Sequence, residues 1–323
     1  MQTLIDFDHA PVFAIPATAD SGAAVVREGM LLEGPQGWGE FSPSVDATPA
    51  VLARWLTAAV EGGTVGWPDP VRGRVPVAVR VPAVDAARAH RTVADSGCST
   101  ADVVVGFAPL AEDIARVQAV RDAVGPTGAV RCDAGGRWHV DGAVAAIEAL
   151  DRAAGGLQYI EQPCATTEEL AAVRHRVDVP VAVDESLRNA TDPSGLDLSG
   201  VADVAVLSFG PMGGVRRALR IAEACGLPCV VASTGETSIG LAGAVALAGV
   251  LPELPYACAL GTRGLFAGDV VPQGRWLIPV DGHLPVAPMP PGPDPGLVER
   301  FALADPNRVT WWRQRLSAAQ TGA

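Results

Sequence analysis

The sequence contains no lysine: its 24 basic residues are all arginine. The chain therefore offers no side-chain amine as a general base and no ammonium as a compact cation, and a guanidinium that keeps its proton replaces neither. A codon bias toward Arg and Ala, in keeping with 36 Gly and 27 Pro, is the plain compositional cause. Positive charge is scarce as a whole. A formal net charge of −12 excludes nucleic acid and anionic membrane surfaces as partners, because nothing would neutralise their phosphates. Long apolar runs are missing too: the longest, 239–251, is punctuated by Gly and is shorter than a bilayer requires. The N-terminal MQTLIDFDHAP carries acids where a secretion signal carries positive charge, so no signal is expected. The six Cys (98, 132, 164, 225, 229, 258) lack the spacing of a disulfide scaffold and read as buried, reduced thiols of a cytoplasmic protein. Cys225 and Cys229 have no second pair or nearby His to complete a metal site.

Three stretches organise what is present: VRCDAGG (130–136), YIEQP (159–163) and VAVDES (181–186). Each is a short apolar run that ends in an acid and breaks into a polar or Gly/Pro turn, the pattern of a buried strand delivering a carboxylate to its C-terminal end. The carboxylates are Asp133, Glu161 and Asp184. Each interval between them holds one helix-like segment, which describes successive strand–helix units of a barrel whose site gathers at the strand C-termini. Three oxygen donors with no His or Cys among them suit a hard divalent cation, Mg²⁺ first.

Residues 1–74 lack this rhythm. A strand pair or bent strand at 23–33, a turn at 34–37, a return strand at 38–41 and a helix at 48–61, with Thr48 as N-cap and Pro49 at its first position, make a small α+β module. From residue 75 strands are expected at 75–84, 101–107, 129–133, 157–161, 180–184, 202–209, 228–233 and 255–260. Helices are expected at 84–96, 110–124, 141–154, 167–177, 214–225 and 238–251, with 187–200 broken by Pro and Gly. Eight near-continuous apolar strands with helical crossovers specify an α/β closed parallel barrel. A doubly wound sheet would need a Gly-rich phosphate turn after its first strand, and there is none. The division expected is a capping module (1–74), a barrel (75–265) and a C-terminal segment (266–323), Pro-rich coil and then a helix at 306–319, that packs back on the capping module.

The motifs GWGEFSP (37–43), CDAGGRW (132–138), IEQPCAT (160–166), VDES (183–186), Gly213-Gly214 and GETSIG (235–240) together resemble the enolase superfamily, muconate-cycloisomerase subgroup, and within it the o-succinylbenzoate synthases of actinobacteria. The resemblance runs over roughly residues 11–290. It implies a modified (β/α)7β TIM-type barrel under an α+β capping domain, with Asp133, Glu161 and Asp184 as Mg²⁺ ligands. The implied activity is a carbon–oxygen lyase reaction: syn-dehydration of 2-succinyl-6-hydroxy-2,4-cyclohexadiene-1-carboxylate in menaquinone biosynthesis, in which a Lys or His base removes a proton α to a carboxylate while Mg²⁺ stabilises the developing charge. The ligand class is a small-molecule carboxylate, and the protein would be a monomer or small homo-oligomer.

The chain departs from that pattern at its centre. The family's second strand reads Lys-x-Lys; here it is Asp102-Val103-Val104, with Val104 in the acid/base place. The Lys that ends the family's sixth strand is Ser208. None of the five His falls on the seventh strand, Gly135 replaces a family Asn, and the capping loop 17–24 has no basic residue. Three expectations result: the lyase with altered acid/base machinery, a catalytically silent, ligand-binding paralogue that keeps fold and metal site, or a divergent Mg²⁺ enzyme on an unrelated carboxylate that uses metal-bound water or Asp102 as base. Asp102 is a candidate replacement base, although a structural role is the simpler expectation, and Ser208 is expected to fill vacated space. Ser233, Gly235 and Glu236 are expected to bind substrate. Gly213 and Gly214 open a helix whose free N–H groups offer an anion site or simply make a tight turn. His139 reads as a capping or solvated residue, and Arg131 as structural, pointing away from Asp133.

Overall fold

Alternation and turn chemistry at the start of the chain build a three-stranded antiparallel sheet from β1 (Val12–Pro16), β2 (Val26–Gly34) and β3 (Gly37–Phe41). The computed structural model describes residues 5–18 and 26–321. Most of the capping loop expected at 17–24, and the first residues of the strand expected from 23, lie outside the described residues. Helix α1 (Pro49–Thr64) begins where Thr48 accepts the Val51 N–H and Pro49 supplies the first turn, as N-cap preferences require. It packs so tightly on β3 that a Cβ at Gly39 would stand 2.0 Å from the Ala59 carbonyl.

The eight expected strands form as β4 (Arg74–Val81), β5 (Thr100–Val104), β6 (Ala129–Asp133), β7 (Ile160–Glu161), β8 (Val181–Val183), β9 (Val204–Leu207), β10 (Cys229–Val231) and β11 (Cys258–Gly261). They pair in parallel in the order β10-β9-β8-β7-β6-β5-β4-β11. A parallel bridge between Ala232 and Ala259 joins the two ends and closes the barrel. The crossovers are α2 (Ala86–Ala94), α3 (Leu110–Val124), α4 (Val140–Ala154), α5 (Thr167–Arg174), the short α6 (Glu185–Arg188) and α7 (Phe209–Met212), α8 (Val215–Cys225) and α9 (Ser238–Val250). Every residue of α9 is buried, which explains a helix apolar on all sides. Among the described residues no helix is long and apolar enough to cross a membrane.

The expectation of coil beyond residue 266 needs correction. β12 (His283–Pro285) pairs antiparallel with β4, where a Pro at the strand edge costs no ladder bond, and α10 (Pro295–Arg300) is seated by the Asp294 cap. The last helix, α11 (Pro306–Thr321), buries Trp312 edge-on against Phe41, ring centroids 6.2 Å apart, in one apolar cluster with Trp55 of α1.

Candidate active site

Strand register lays the interior of the barrel out in rows. Arg80 of β4 is paired with Asp102 of β5, and Asp102 with Arg131 of β6. This row of alternating charge is tied by Arg80 Nη1 to Asp102 Oδ2 at 2.7 Å and by Arg131 Nε to Asp102 Oδ1 at 3.7 Å. Arg131 thus points into the barrel, contrary to the sequence expectation: it stands two residues before Asp133, and residues two apart share a strand face. One row higher, Val104 is paired with Asp133 and Asp133 with Glu161. The position the family resemblance gives to an amine is therefore an apolar side chain beside Asp133.

Asp133 ends β6, Glu161 ends β7, and Asp184 follows β8. Gln162 sets the last two relative to each other. With φ at 39°, it turns its side chain so that Oε1 accepts the Asp184 N–H at 3.0 Å and the Ser186 N–H at 3.2 Å, while Nε2 donates to Ser186 Oγ at 2.6 Å. Sequence reasoning assigned this residue nothing; its position directly after a strand-end acid is the signal that was available.

Arg80, Asp102, Asp133, Glu161 and Asp184 line a cavity of about 510 Å³ at the mouth of the barrel, bounded on the capping side by Arg27 and Trp55. Ser233 and Gly235 line it; Glu236 does not. Glu236 is buried and accepts from Ser233 Oγ at 2.5 Å, Thr234 N at 3.0 Å and Thr234 Oγ1 at 2.7 Å, so it shapes the turn that carries Ser233. Ser208 is buried with its hydroxyl unbonded. Gly213 and Gly214 lie behind the cavity wall, and the N-terminus of α8 already holds an anion: Glu61 accepts the Val215 N–H at 2.6 Å. A Cβ at Gly214 would stand 2.0 Å from that carboxylate, which is the reason for glycine there. His139 is fully exposed, 3.8 Å from Glu169.

A second carboxylate docks the capping sheet onto the barrel. Glu40, in the GWGEFSP motif, accepts the N–H of Thr237 at 3.0 Å and of Gly240 at 3.1 Å at the start of α9, and it also accepts from Ser42 Oγ. Burial pushes its carboxyl up to about 7 in spite of nearby Arg27.

Burial, then Asp133, Asp102 and Asp184, hold the Glu161 carboxyl well above its ordinary value. Burial likewise raises Asp184 against the opposing pull of Arg188, and burial with the Asp184 charge lifts Glu185 to about 8. Such shifts mark carboxylates short of positive charge. Glu161 Oε2 and Asp184 Oδ1 are buried and make no hydrogen bond. Two guanidiniums supply part of what is needed: Arg80 Nη2 lies 2.5 Å from Asp133 Oδ2, and Arg188 Nη1 lies 3.2 Å from Asp184 Oδ2. Among the described residues no three acidic, His or Cys side chains are gathered as a ready metal cage. The donor chemistry nevertheless fits a hard divalent ion: two unbonded oxygens face the need, and the third ligand is engaged by Arg80.

Residues 84–297 match the family described as enolase C-terminal domain-like, and residues 12–63 the family described as enolase N-terminal domain-like. The chain is 55% identical over 276 residues to the o-succinylbenzoate synthase of Thermobifida fusca (strain YX), covering 85% of this chain and 86% of that protein. It is 46% identical over 310 residues to the protein of the same name from Mycolicibacterium smegmatis, covering 95% and 94%. In fold it is similar to 2-chloromuconate cycloisomerase from Rhodococcus opacus 1CP, with a TM-score of 0.75 at 22% identity over 93% of this chain and 99% of that one. It is also similar to the dipeptide epimerase of Enterococcus faecalis V583 complexed with Mg and L-Leu-L-Tyr, with a TM-score of 0.72 at 20% identity over 89% and 98%.

Proposed function

Because the chain belongs to the enolase superfamily, we propose that its cavity is that of an o-succinylbenzoate synthase-type carbon–oxygen lyase. The substrate is a small cyclohexadiene carboxylate, 2-succinyl-6-hydroxy-2,4-cyclohexadiene-1-carboxylate, which loses the proton α to its carboxylate and its ring hydroxyl as water. The protein acts in the cytoplasm, as a monomer or small homo-oligomer, on the menaquinone route. Residues 1–74 cap a barrel of 75–265, and 266–323 strap the two together.

The observation that carries this reading is the trio Asp133, Glu161 and Asp184 at the ends of three adjacent parallel strands, facing one cavity. These three would hold a divalent ion, Mg²⁺ in our reading, whose charge stabilises the oxyanion that forms as the proton leaves. The cavity's own balance calls for such a cation: among the described residues that line it, Asp46, Asp102, Asp133, Glu161, Asp184 and Glu185 face Arg27, Arg80 and Arg188, so an anionic substrate enters against excess negative charge. Arg27, whose buried Nε is unbonded, and Arg188 are placed to meet substrate carboxylates. Asp102, the cavity carboxylate two residues before Val104 on the same face, has an unbonded Oδ1 and takes the role of proton acceptor.

A specific observation favours a second reading, a paralogue that binds such carboxylates without turnover. Asp102 is already engaged by the guanidiniums of Arg80 and Arg131, and Val104 and Ser208 hold the places of both family lysines. Turnover of the cyclohexadiene substrate with Mg²⁺ decides between them, comparing the natural protein with a Val104→Lys/Ser208→Lys double variant. Turnover by the natural protein, abolished in Asp102→Asn, supports the lyase. Turnover by the double variant alone supports the paralogue, and activity in neither removes the lyase and points to a pocket turned to another ligand.

A further inference from the structure

Arg80 is the cavity guanidinium that bridges the lower charged row and the trio, binding Asp102 in the one and Asp133 in the other. Its Nη1 is held by Asp102 at 2.7 Å and its Nη2 by Asp133 at 2.5 Å. The side chain is 23% exposed, against 1% for Asp102 and 11% for Asp133. The anchor is deep and rigid, since Asp102 is also flanked by Arg131, which is itself fixed by a 2.7 Å bond from Nη1 to the Ala257 carbonyl and by stacking on Tyr159, 5.0 Å from the ring centroid. The outer end of Arg80 is thereby presented to Asp133 from below, one row beneath the trio.

We propose that Arg80 is a tethered counter-cation that occupies Asp133 and competes with the divalent ion for it. Asp133 Oδ1 accepts the Gly135 N–H at 2.9 Å, so both of its oxygens are engaged, whereas Glu161 and Asp184 each keep one oxygen unbonded. A divalent ion arriving at the trio finds two ligands open and the third closed. To take it, the ion must break a buried charge-assisted bond, and removing one partner of a buried ion pair is costly. The same bond neutralises Asp133 when no metal is bound, so the strand ends tolerate the metal-free state. The effect is a raised threshold: the ion binds only where its concentration outweighs the arginine. This inference rests on Asp133 being a metal ligand, as in the proposed function, and its readouts need no substrate, so failure of turnover leaves them intact.

The test is Mg²⁺ titration by calorimetry of chelator-stripped protein, natural and Arg80→Met, together with melting temperatures in chelator. Arg80→Met is expected to bind Mg²⁺ at least tenfold more tightly than the natural protein; equal or weaker binding overturns the proposal. Asp133→Asn supplies an independent measurement if Arg80→Met fails to fold. Loss of the Arg80 bond should lower the melting temperature of the metal-free protein, whereas a rise, from relief of repulsion with Glu161 and Asp184, shows that the pair does not stabilise that state and refutes the idea.

Discussion

The Gln162 side chain accepts the backbone N–H of Asp184 at 3.0 Å, so one strand-end acid is positioned through the residue that follows another. In Gln162→Ala the N–H groups of Asp184 and Ser186 lose their acceptor inside the barrel mouth. Each buried unsatisfied donor costs about 1–3 kcal/mol, so urea unfolding should show a stability loss of that order and Mg²⁺ should stabilise the variant less than the natural protein. A variant with unchanged stability and an unchanged Mg²⁺ response would show that β7 and β8 hold the acids without it.

Glu40 makes stability depend on pH in an unusual sense. Its folded carboxyl sits at about 7 against an ordinary 4.5, so between these values the folded state holds a proton that the unfolded state has released. Stability therefore falls as pH rises through this window. Glu161, Asp184 and Glu185 are raised as well and contribute in the same sense, so the informative quantity is the difference between natural protein and Glu40→Gln. Melting temperatures at pH 5 and pH 8 should drop less in the variant; an identical drop would remove Glu40 from the account.

Divalent ions should raise the melting temperature reversibly, and chelation should undo the rise. At about a hundredfold excess over Kd, binding to the folded state alone contributes about 2.7 kcal/mol. Asp184→Asn should abolish the shift. If the shift survives that substitution, the ion binds elsewhere.

Gly39→Ala tests the seat of the capping sheet. The new methyl would lie 2.0 Å from the Ala59 carbonyl, and because both partners are backbone, β3 and α1 must separate. Overpacking of this kind costs about 1–3 kcal/mol, occasionally more. Thermal unfolding that matches the natural protein would show that the helix gives way freely.

The architecture was legible because continuous Val- and Ala-rich runs such as 129–133 and 180–184 have no face to offer water, and because each ended in an acid before a turn. Arg80 reads in the sequence as one charge inside the run 75–84, since its meaning lies in Asp102 and Asp133, brought to it only by parallel register. Glu40 and Glu61 were hidden for the same reason, their partners lying roughly 150 to 200 residues away. The strand at His283–Pro285 was concealed by the surrounding prolines, which mark coil locally but suit an edge position. Arg131 stands two residues before Asp133 on one strand, and strict alternation places both on the inner face.

Two acids from the capping module, Glu40 and Glu61, each plug the positive end of a different barrel helix, α9 and α8. A rigid-body swing of the module would pull both carboxylates out of their seats at once and uncover two sets of buried N–H groups, a penalty that rises with every degree of opening. The capping module is thus bolted to the barrel at two points, and neither seat can be given up without the other.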